Sequence, residues 1–575
     1  MNDDRSSRSD ASERSAQVAT TKRGAEYVYE ALLAAGIELL VGLPGTQTLP
    51  LDRTVAAREE MTYVMARHET AIPHVAWGHY ETSGEVAAIL TVPGPGETNA
   101  MHGLKNAAED GVPIVHIAAD VNPDERGRSP IHEIEPGTYD NVLKENVVVT
   151  RPFELPGAVR RGIEIALTPP YGPVRLGVPS RFLDHEIEAP IAATEPEYTT
   201  YDNEGAYGRA TELLAEARRP VVYAGGGTRR TAEGPRVVRA LAEALDAPVL
   251  CSHKGKGVFP EDDPRFLGVT GSHTPAGVRR VLDRADCVLA LGTDFDGVTT
   301  GHWELPMGES VVQIDLDPGA IGRSYDAEIG IVADATDASD RLLGDLGDVN
   351  APPTERWDGE RVASSVREEY FEQLSAQELF EEGPPLPTPA VLRAVRKTIP
   401  RGTSVVTDVG GFRLWSMQAF DTYDPQAFVT AGSWAGMGTG LPGAIGAGLA
   451  NPEDQIVCLT GDGGLMMCTQ ELHTAVEYDL DLVVLVSVND DYGIISKSMR
   501  TEYGPEARFR WDSPDFVEIA EGFGCRATHA ETTAELQEAT EAALDRSGPD
   551  VISVAVDPDE PAAPEAGDYE STVEL

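Results

Sequence analysis

Residues 456–493, IVCLTGDGGLMMCTQELHTAVEYDLDLVVLVSVNDDYG, contain the pattern that decides the fold. An apolar run, IVCLT, breaks at Gly461-Asp462-Gly463-Gly464; TQELHTAVEY then reads as a helix, and a second apolar run, LVVLVSV, ends at Asn489. Short apolar runs without alternation are buried on both faces, as the strands of a parallel sheet are. Strand, helix and strand in succession make one right-handed βαβ unit. Its strands are parallel, so Asp462 and Asn489 leave the sheet at the same carboxyl edge, where open α/β sheets bind ligands. One carboxylate and one amide oxygen, beside glycines that let the backbone approach a diphosphate, suit a hard cation such as Mg²⁺. A G-D-G turn by itself is ordinary turn chemistry; the Asn after the next strand gives it meaning.

Outward from this unit, the block 387–558 has further strand-like runs in TSVVTDVG and VISVAVD. A second block, 206–345, has PVVYAGGG, APVLCS, CVLALG and VVQIDLDP. A first, 21–190, has IELLVGLPG, AAILTVPGPG, PIVHIAAD and PVRLGVPS, each closed by a turn-forming residue or the end of the run. The expected fold class is α/β, with three doubly wound domains built on parallel sheets. Residues 1–20 are polar and predicted disordered, 346–386 is a Pro- and Glu-rich linker with one helix in EEYFEQLSAQELF, and 559–575 is an acidic, mobile tail.

The 575 residues carry 95 acidic against 46 basic side chains, a formal charge of -49. Such a surface repels nucleic acid, and acid spread over all three blocks fits salt adaptation. No apolar run is long enough to span a membrane and the N-terminus is charged, so the sequence predicts no membrane association and a cytoplasmic protein. Five Cys without a C-x-x-C pair fit a reduced compartment, and the twelve His residues form no H-E-x-x-H.

The order of motifs resembles the thiamine-diphosphate enzymes, and among them the large catalytic subunit of acetolactate synthase. Gly461-Asp462-Gly463 followed by Asn489 is similar to that family's G-D-G…N-N signature, with Val488 in place of the first Asn. Val41-Gly42-Leu43-Pro44-Gly45, Pro93-Gly94-Pro95-Gly96-Glu97-Thr98-Asn99 and Ser433-Trp434-Ala435-Gly436-Met437-Gly438 resemble its loops elsewhere. The resemblance implies thiamine diphosphate with Mg²⁺ held by Asp462, Asn489 and the Asp491 carbonyl; an alternative register would make Asp490 the side-chain ligand. It further implies a cofactor bed of Gly410, Gly411, Phe412, Met437, Gly463, Gly464, Tyr492, Gly493 and Ile494. Glu69, in Arg67-His68-Glu69-Thr70, corresponds to the carboxylic acid that protonates the cofactor's pyrimidine nitrogen, and His132 is a candidate proton shuttle or carboxylate anchor. Met437 takes the position that wedges the cofactor into its bent form. Because Glu69 and the diphosphate site come from different subunits in that family, a homodimer or homotetramer is implied, with a small regulatory subunit as a further candidate partner.

The implied activity is decarboxylation of a 2-oxo acid, with ligation to a second one or, alternatively, release of an aldehyde as in benzoylformate and phenylpyruvate decarboxylases; a FAD-dependent, pyruvate-oxidase-like reaction is a third reading. Ser498 replaces the family Trp that favours a larger second substrate, with Lys497 beside it. Arg413 and Lys497 are candidates to bind the carboxylate of an acidic substrate, with a solvated basic side chain the favoured reading for each. Acetolactate synthases hold a FAD over the central domain. Here Gly225-Gly226-Gly227 resembles a dinucleotide turn without the G-x-G-x-x-G spacing, and Gly292-Thr293-Asp294-Phe295-Asp296 carries acid where the family has Arg.

Overall fold

The computed structural model describes residues 21–191, 194, 196, 199–201, 203–348, 356–504 and 509–575; the predicted N-terminal tail, residues 1–20, lies outside them. Strand β1 (Thr21–Arg23) pairs antiparallel with β8 (Glu186–Glu188) as a separate two-stranded sheet, and a first large sheet holds β2 (Leu39–Gly42), β3 (Thr62–Met65), β4 (Ala87–Thr91), β5 (Ile114–Asp120), β6 (Glu145–Val148) and β7 (Val174–Pro179). A second sheet holds β9 (Pro220–Ala224), β10 (Val249–Cys251), β11 (Phe266–Val269), β12 (Cys287–Leu291), β13 (Ser310–Asp315) and β14 (Ile329–Val332). A third holds β15 (Ser404–Thr407), β16 (Phe428–Thr430), β17 (Ile456–Gly461), β18 (Leu482–Val488), β19 (Arg526–Ala530) and β20 (Asp550–Ala555). The three large sheets are parallel throughout, as the apolar runs require.

The first sheet is ordered β3-β2-β4-β5-β7-β6 and the third β16-β15-β17-β18-β20-β19, the same winding twice. The second, β11-β10-β9-β12-β13-β14, is wound from its middle outward in both directions, as dinucleotide-binding sheets are. Matching helices join the first and third units: Ala71–Ser83 lies across Gly440–Ala450, both nearly all buried. The approach is a backbone contact. A Cβ at Gly78 would lie 2.0 Å from the Gly443 carbonyl oxygen, and one at Gly446 2.0 Å from that of Val75. Alanine at position 78 would gain up to ~1 kcal/mol of helix propensity, but neither backbone can yield, so Gly78→Ala should cost a net of about 2 kcal/mol. A clear drop in the thermal unfolding midpoint is the expected result; an unchanged midpoint would mean the helices do not cross this closely.

Two segments differ from the sequence reading. The helix expected at EEYFEQLSAQELF starts earlier, at Gly359–Ala376, capped by the Asp358 carboxylate, which accepts from the Arg361 amide at 3.0 Å. Val362, Ala363 and Val366 begin the apolar stripe before that stretch and bury it against the second sheet, beside Val221 and Tyr223. Residues 559–575 are also tied down. Glu560, Ala563 and Ala566 are buried, the Ser571 hydroxyl donates to Glu369 at 2.7 Å, and Arg280 donates to the Ser571 carbonyl at 2.6 Å. Composition showed the acid in this segment but not the apolar residues spaced among it.

Candidate functional site

Strands β17 and β18 run side by side with Gly461 opposite Ser487, and Asp462 and Asn489 follow their ends directly. Asp462 is buried. Its Oδ1 accepts from the Gly463 amide at 2.7 Å, and its Oδ2 from the amides of Asp490 at 2.9 Å and Asn489 at 3.2 Å and the Ser513 hydroxyl at 3.1 Å. Burial pushes its pKa upward against these bonds, and among the described residues no cation pairs with it. Asn489 Oδ1 accepts from the Asp491 amide at 3.2 Å. The Asp491 carboxylate is taken up by the Ser496 hydroxyl, so its side chain is engaged away from Asp462. No group of three or more His, Cys, Asp or Glu among the described residues is placed to hold a metal. A cation here would draw on one carboxylate, one amide oxygen and a main-chain carbonyl, completed by oxygens of a ligand.

These residues line a cavity of about 340 Å³ whose walls include Gly410, Gly411, Phe412, Met437, Asp462, Gly463, Gly464, Asn489, Asp491, Tyr492, Gly493 and Ile494. The bed named from sequence is therefore brought together. A Cβ at Gly410 would point into free space and one at Gly411 would lie 3.8 Å from Ile494 Cγ1, whereas at Gly463 a Cβ would meet Tyr492 Cε1 at 3.0 Å and Met437 Cε at 3.2 Å. The helices Gly411–Ala419, Asp462–Met466 and Gly493–Tyr503 all begin at the cavity. Convergent helix N-termini favour a phosphorylated ligand, and the Asp462 carboxylate then requires a cation between itself and that ligand.

Sequence reasoning missed Asp408, buried at the end of β15. Its carboxylate accepts from the amides of Val409 at 2.7 Å and Gly438 at 2.9 Å and from the Thr460 hydroxyl at 3.1 Å, which fixes the loop that carries Met437. The only signal was an Asp closing the run TSVVT.

Glu69 lies elsewhere. It follows β3 on the first unit, where Oε2 accepts from Asn99 Nδ2 at 3.0 Å and a Cβ at Gly96 would lie 3.4 Å from Oε1. Within one chain it does not line the Asp462 cavity. His132, at φ 65, packs its backbone on Gly94, and its Nδ1 lies 3.4 Å from Gln47 Nε2, a neighbour that sequence reasoning passed over. Glu69 and His132 thus share the carboxyl rim of the first sheet, through the loop Gly94–Asn99. The expectation of solvated basic side chains fails for Arg413 and Lys497. Arg413 is buried and donates to the Ala431 carbonyl at 2.8 Å, and the Lys497 side chain is 12% exposed.

A model of the C-terminal thiamine pyrophosphate-binding domain matches residues 408–554, the N-terminal one 22–141 and the central domain 208–342. The "Probable acetolactate synthase large subunit" of Methanocaldococcus jannaschii is 32% identical over 95% of this chain and 94% of its own length. The chain belongs to the thiamine pyrophosphate enzyme family. "Acetolactate synthase isozyme 1 large subunit" of Escherichia coli is 29% identical over 96% of this chain and 97% of its own. The mitochondrial catalytic subunit of acetolactate synthase from Saccharomyces cerevisiae is 26% identical over 94% and 82%. In this thiamine pyrophosphate enzyme the free space over Gly410, the helix starts at the cavity and Asp462, which has no cation partner among the described residues, fit a metal-bound diphosphate.

The central crevice fits FAD poorly. A cavity of about 320 Å³ opens at the carboxyl ends of β9, β12 and β13. Gly225 and Gly227 pack on the Gly292 backbone, where Cβ atoms would lie 2.2 Å from its carbonyl oxygen and 2.8 Å from its Cα, so they form no open phosphate turn. Asp294, Asp296, Asp315 and Asp317 line it, and burial pushes Asp315 up to about 6. Its cations are already engaged: Glu81 binds Arg229 at 3.1 Å and Lys254 at 3.0 Å, and Arg230 donates to Tyr80 at 3.0 Å. A dinucleotide diphosphate would meet these carboxylates, of which Asp294 is paired with Arg323 at 2.6 Å. Among the described residues no helix is long and apolar enough to cross a membrane.

Proposed function

We propose that this enzyme decarboxylates pyruvate and joins the remaining two-carbon unit to a second 2-oxo acid, as in the formation of 2-acetolactate. The observation that carries this reading is the pair Asp462 and Asn489 on adjacent strand ends at the mouth of a cavity bedded by Gly410, Gly411 and Met437. Asp462, Asn489 and the Asp491 carbonyl would hold Mg²⁺, and the helix starts at Gly411 and Gly493 the diphosphate. When bound, thiamine diphosphate supplies the carbon nucleophile and the sink for the electrons left by CO₂. Met437, held by the Asp408-anchored loop, would set the bend of the cofactor. Glu69 would hold a proton at the pyrimidine nitrogen and His132 would orient the substrate carboxylate or carry a proton. Since Glu69 is not at the cavity of its own chain, a second copy would supply it, making the working unit a homodimer or a pair of dimers. The relatives' names as large subunits support a small regulatory partner, and the acetolactate synthase of those names supports a role in branched-chain amino acid biosynthesis; the location proposed is the cytoplasm. The acidic composition supports adaptation to high salt.

Purified protein given pyruvate, Mg²⁺ and thiamine diphosphate in molar KCl should release CO₂ and accumulate acetolactate. Acetaldehyde as the sole product, or turnover of benzoylformate with none of pyruvate, would replace ligation by simple decarboxylation.

A further inference from the structure

A single ammonium joins all three units. Lys254 follows β10 on the second unit; its Nζ donates to Asp110 Oδ2 at 3.0 Å and to the Thr430 carbonyl at 3.1 Å, and is paired with Glu81 Oε1 at 3.0 Å. Glu81 stands on the helix Ala71–Ser83 and Asp110 closes the helix Pro95–Glu109, both of the first unit, while Thr430 ends β16 of the third. All three N–H donors of the ammonium are thereby engaged. Both carboxylates are buried, and the Lys254 side chain is 16% exposed.

Asp110 passes the restraint on. Its Oδ1 accepts from the Gly432 amide at 3.0 Å, and its Oδ2 also from Trp77 Nε1 at 2.8 Å. The approach leaves no room for a side chain, since a Cβ at Gly432 would lie 2.3 Å from Asp110 Oδ1. From Gly432 the chain runs to Met437 through Trp434, whose indole N–H donates to His102 Nδ1 at 2.8 Å. It also passes Ala435 at φ 47, a left-handed conformation that a residue with a Cβ keeps only where its surroundings impose it. The loop that carries Met437 is thus held at both ends, by Asp408 at Gly438 and by Lys254 with Asp110 at Thr430 and Gly432. Burying an ammonium between carboxylates returns little net stability against apolar packing of the same volume, and the best-attested use of such groups is to fix register. The register fixed here is that of β16 and its loop against the first unit.

We propose that Lys254 is a positioning residue for the thiamine diphosphate site: by tying Thr430 to Asp110 it holds the Met437 loop in its cofactor-ready form before the cofactor arrives. This rests on the reading above of Met437 as the residue that sets the bend of the cofactor. The affinity for thiamine diphosphate then scales with the fraction of molecules in which the loop is so held.

The test is hydrogen exchange on the cofactor-free protein, read peptide by peptide, with calorimetric titration of thiamine diphosphate at saturating Mg²⁺ on the same preparation. In Lys254→Gln the amides of residues 430–438 should exchange about tenfold faster or more, the worth of one hydrogen bond to a charged group, while those of β12 and β17 keep their rates. Thiamine diphosphate should bind more weakly, and Lys254→Arg should restore most of both. Where the single variant does not fold for want of a cation beside Asp110, Glu81→Gln/Lys254→Gln keeps the charge balance and should show the same pair of changes. Exchange that rises equally through all three large sheets, or not at all, overturns the assignment. So does faster exchange of the loop with an unchanged cofactor affinity, which would leave Lys254 a brace of the fold. Exchange is read without substrate, so a failure to form acetolactate from pyruvate would count against the carboligation reading alone.

Discussion

Replacing Glu69 with glutamine will reduce turnover by about 10²–10⁴-fold, the range associated with loss of a positioned general acid, while leaving the affinity for thiamine diphosphate largely intact. The side chain lies at the end of β3, where Asn99 holds Oε2 at 3.0 Å and the Gly96 backbone crowds Oε1. Glutamine has the same shape and can still meet Asn99, so the fold should survive. What it cannot do is share a proton with a ring nitrogen. On the proposed reading the diphosphate and its metal would be held at the Asp462 cavity, which Glu69 does not line in its own chain, so binding should not depend on it. Calorimetric titration and steady-state kinetics on one preparation separate the two. Retained activity would remove the proposed role, and joint loss of binding and activity would make Glu69 a structural residue.

Asp462→Asn should weaken binding of the cofactor with Mg²⁺ by about 100-fold or more, since a direct ligand contributes at least as much as the outer groups whose loss costs 10–100-fold. In the structure the carboxylate accepts from three amides and the Ser513 hydroxyl. An asparagine oxygen can keep some of these bonds but carries no charge to hold a divalent ion against a diphosphate. The expected signature is an unchanged unfolding midpoint without ligands and the loss of the stabilisation that Mg²⁺ and thiamine diphosphate give the wild type. Equal unfolding shifts with and without ligand would reduce Asp462 to a turn anchor.

The interior of each sheet was legible as continuous apolar runs, and the strands not read from sequence share a position. β6, β11, β14, β16 and β19 are all sheet edges. An edge strand has a neighbour on one side only and is covered less completely, so its sequence need not be apolar throughout; β19, RATHA, buries only its last residue. Legibility of the site follows the same division. Asp462 and Asn489 stand at the two ends of one βαβ unit, and parallel pairing brings such ends together whatever the rest of the chain does.

Amino-acid sequence by itself therefore determined the three parallel sheets and the placement of Asp462 beside Asn489 at one carboxyl edge, because those follow from local runs and from the handedness of a crossover. Tertiary structure alone decided that Asp408 anchors the Met437 loop and that residues 559–575 fold back to place Glu560 at Lys497. Each of these depends on contacts between segments tens to hundreds of residues apart. Such contacts are set by the shape and packing of whole units, which leave no periodic trace in either segment.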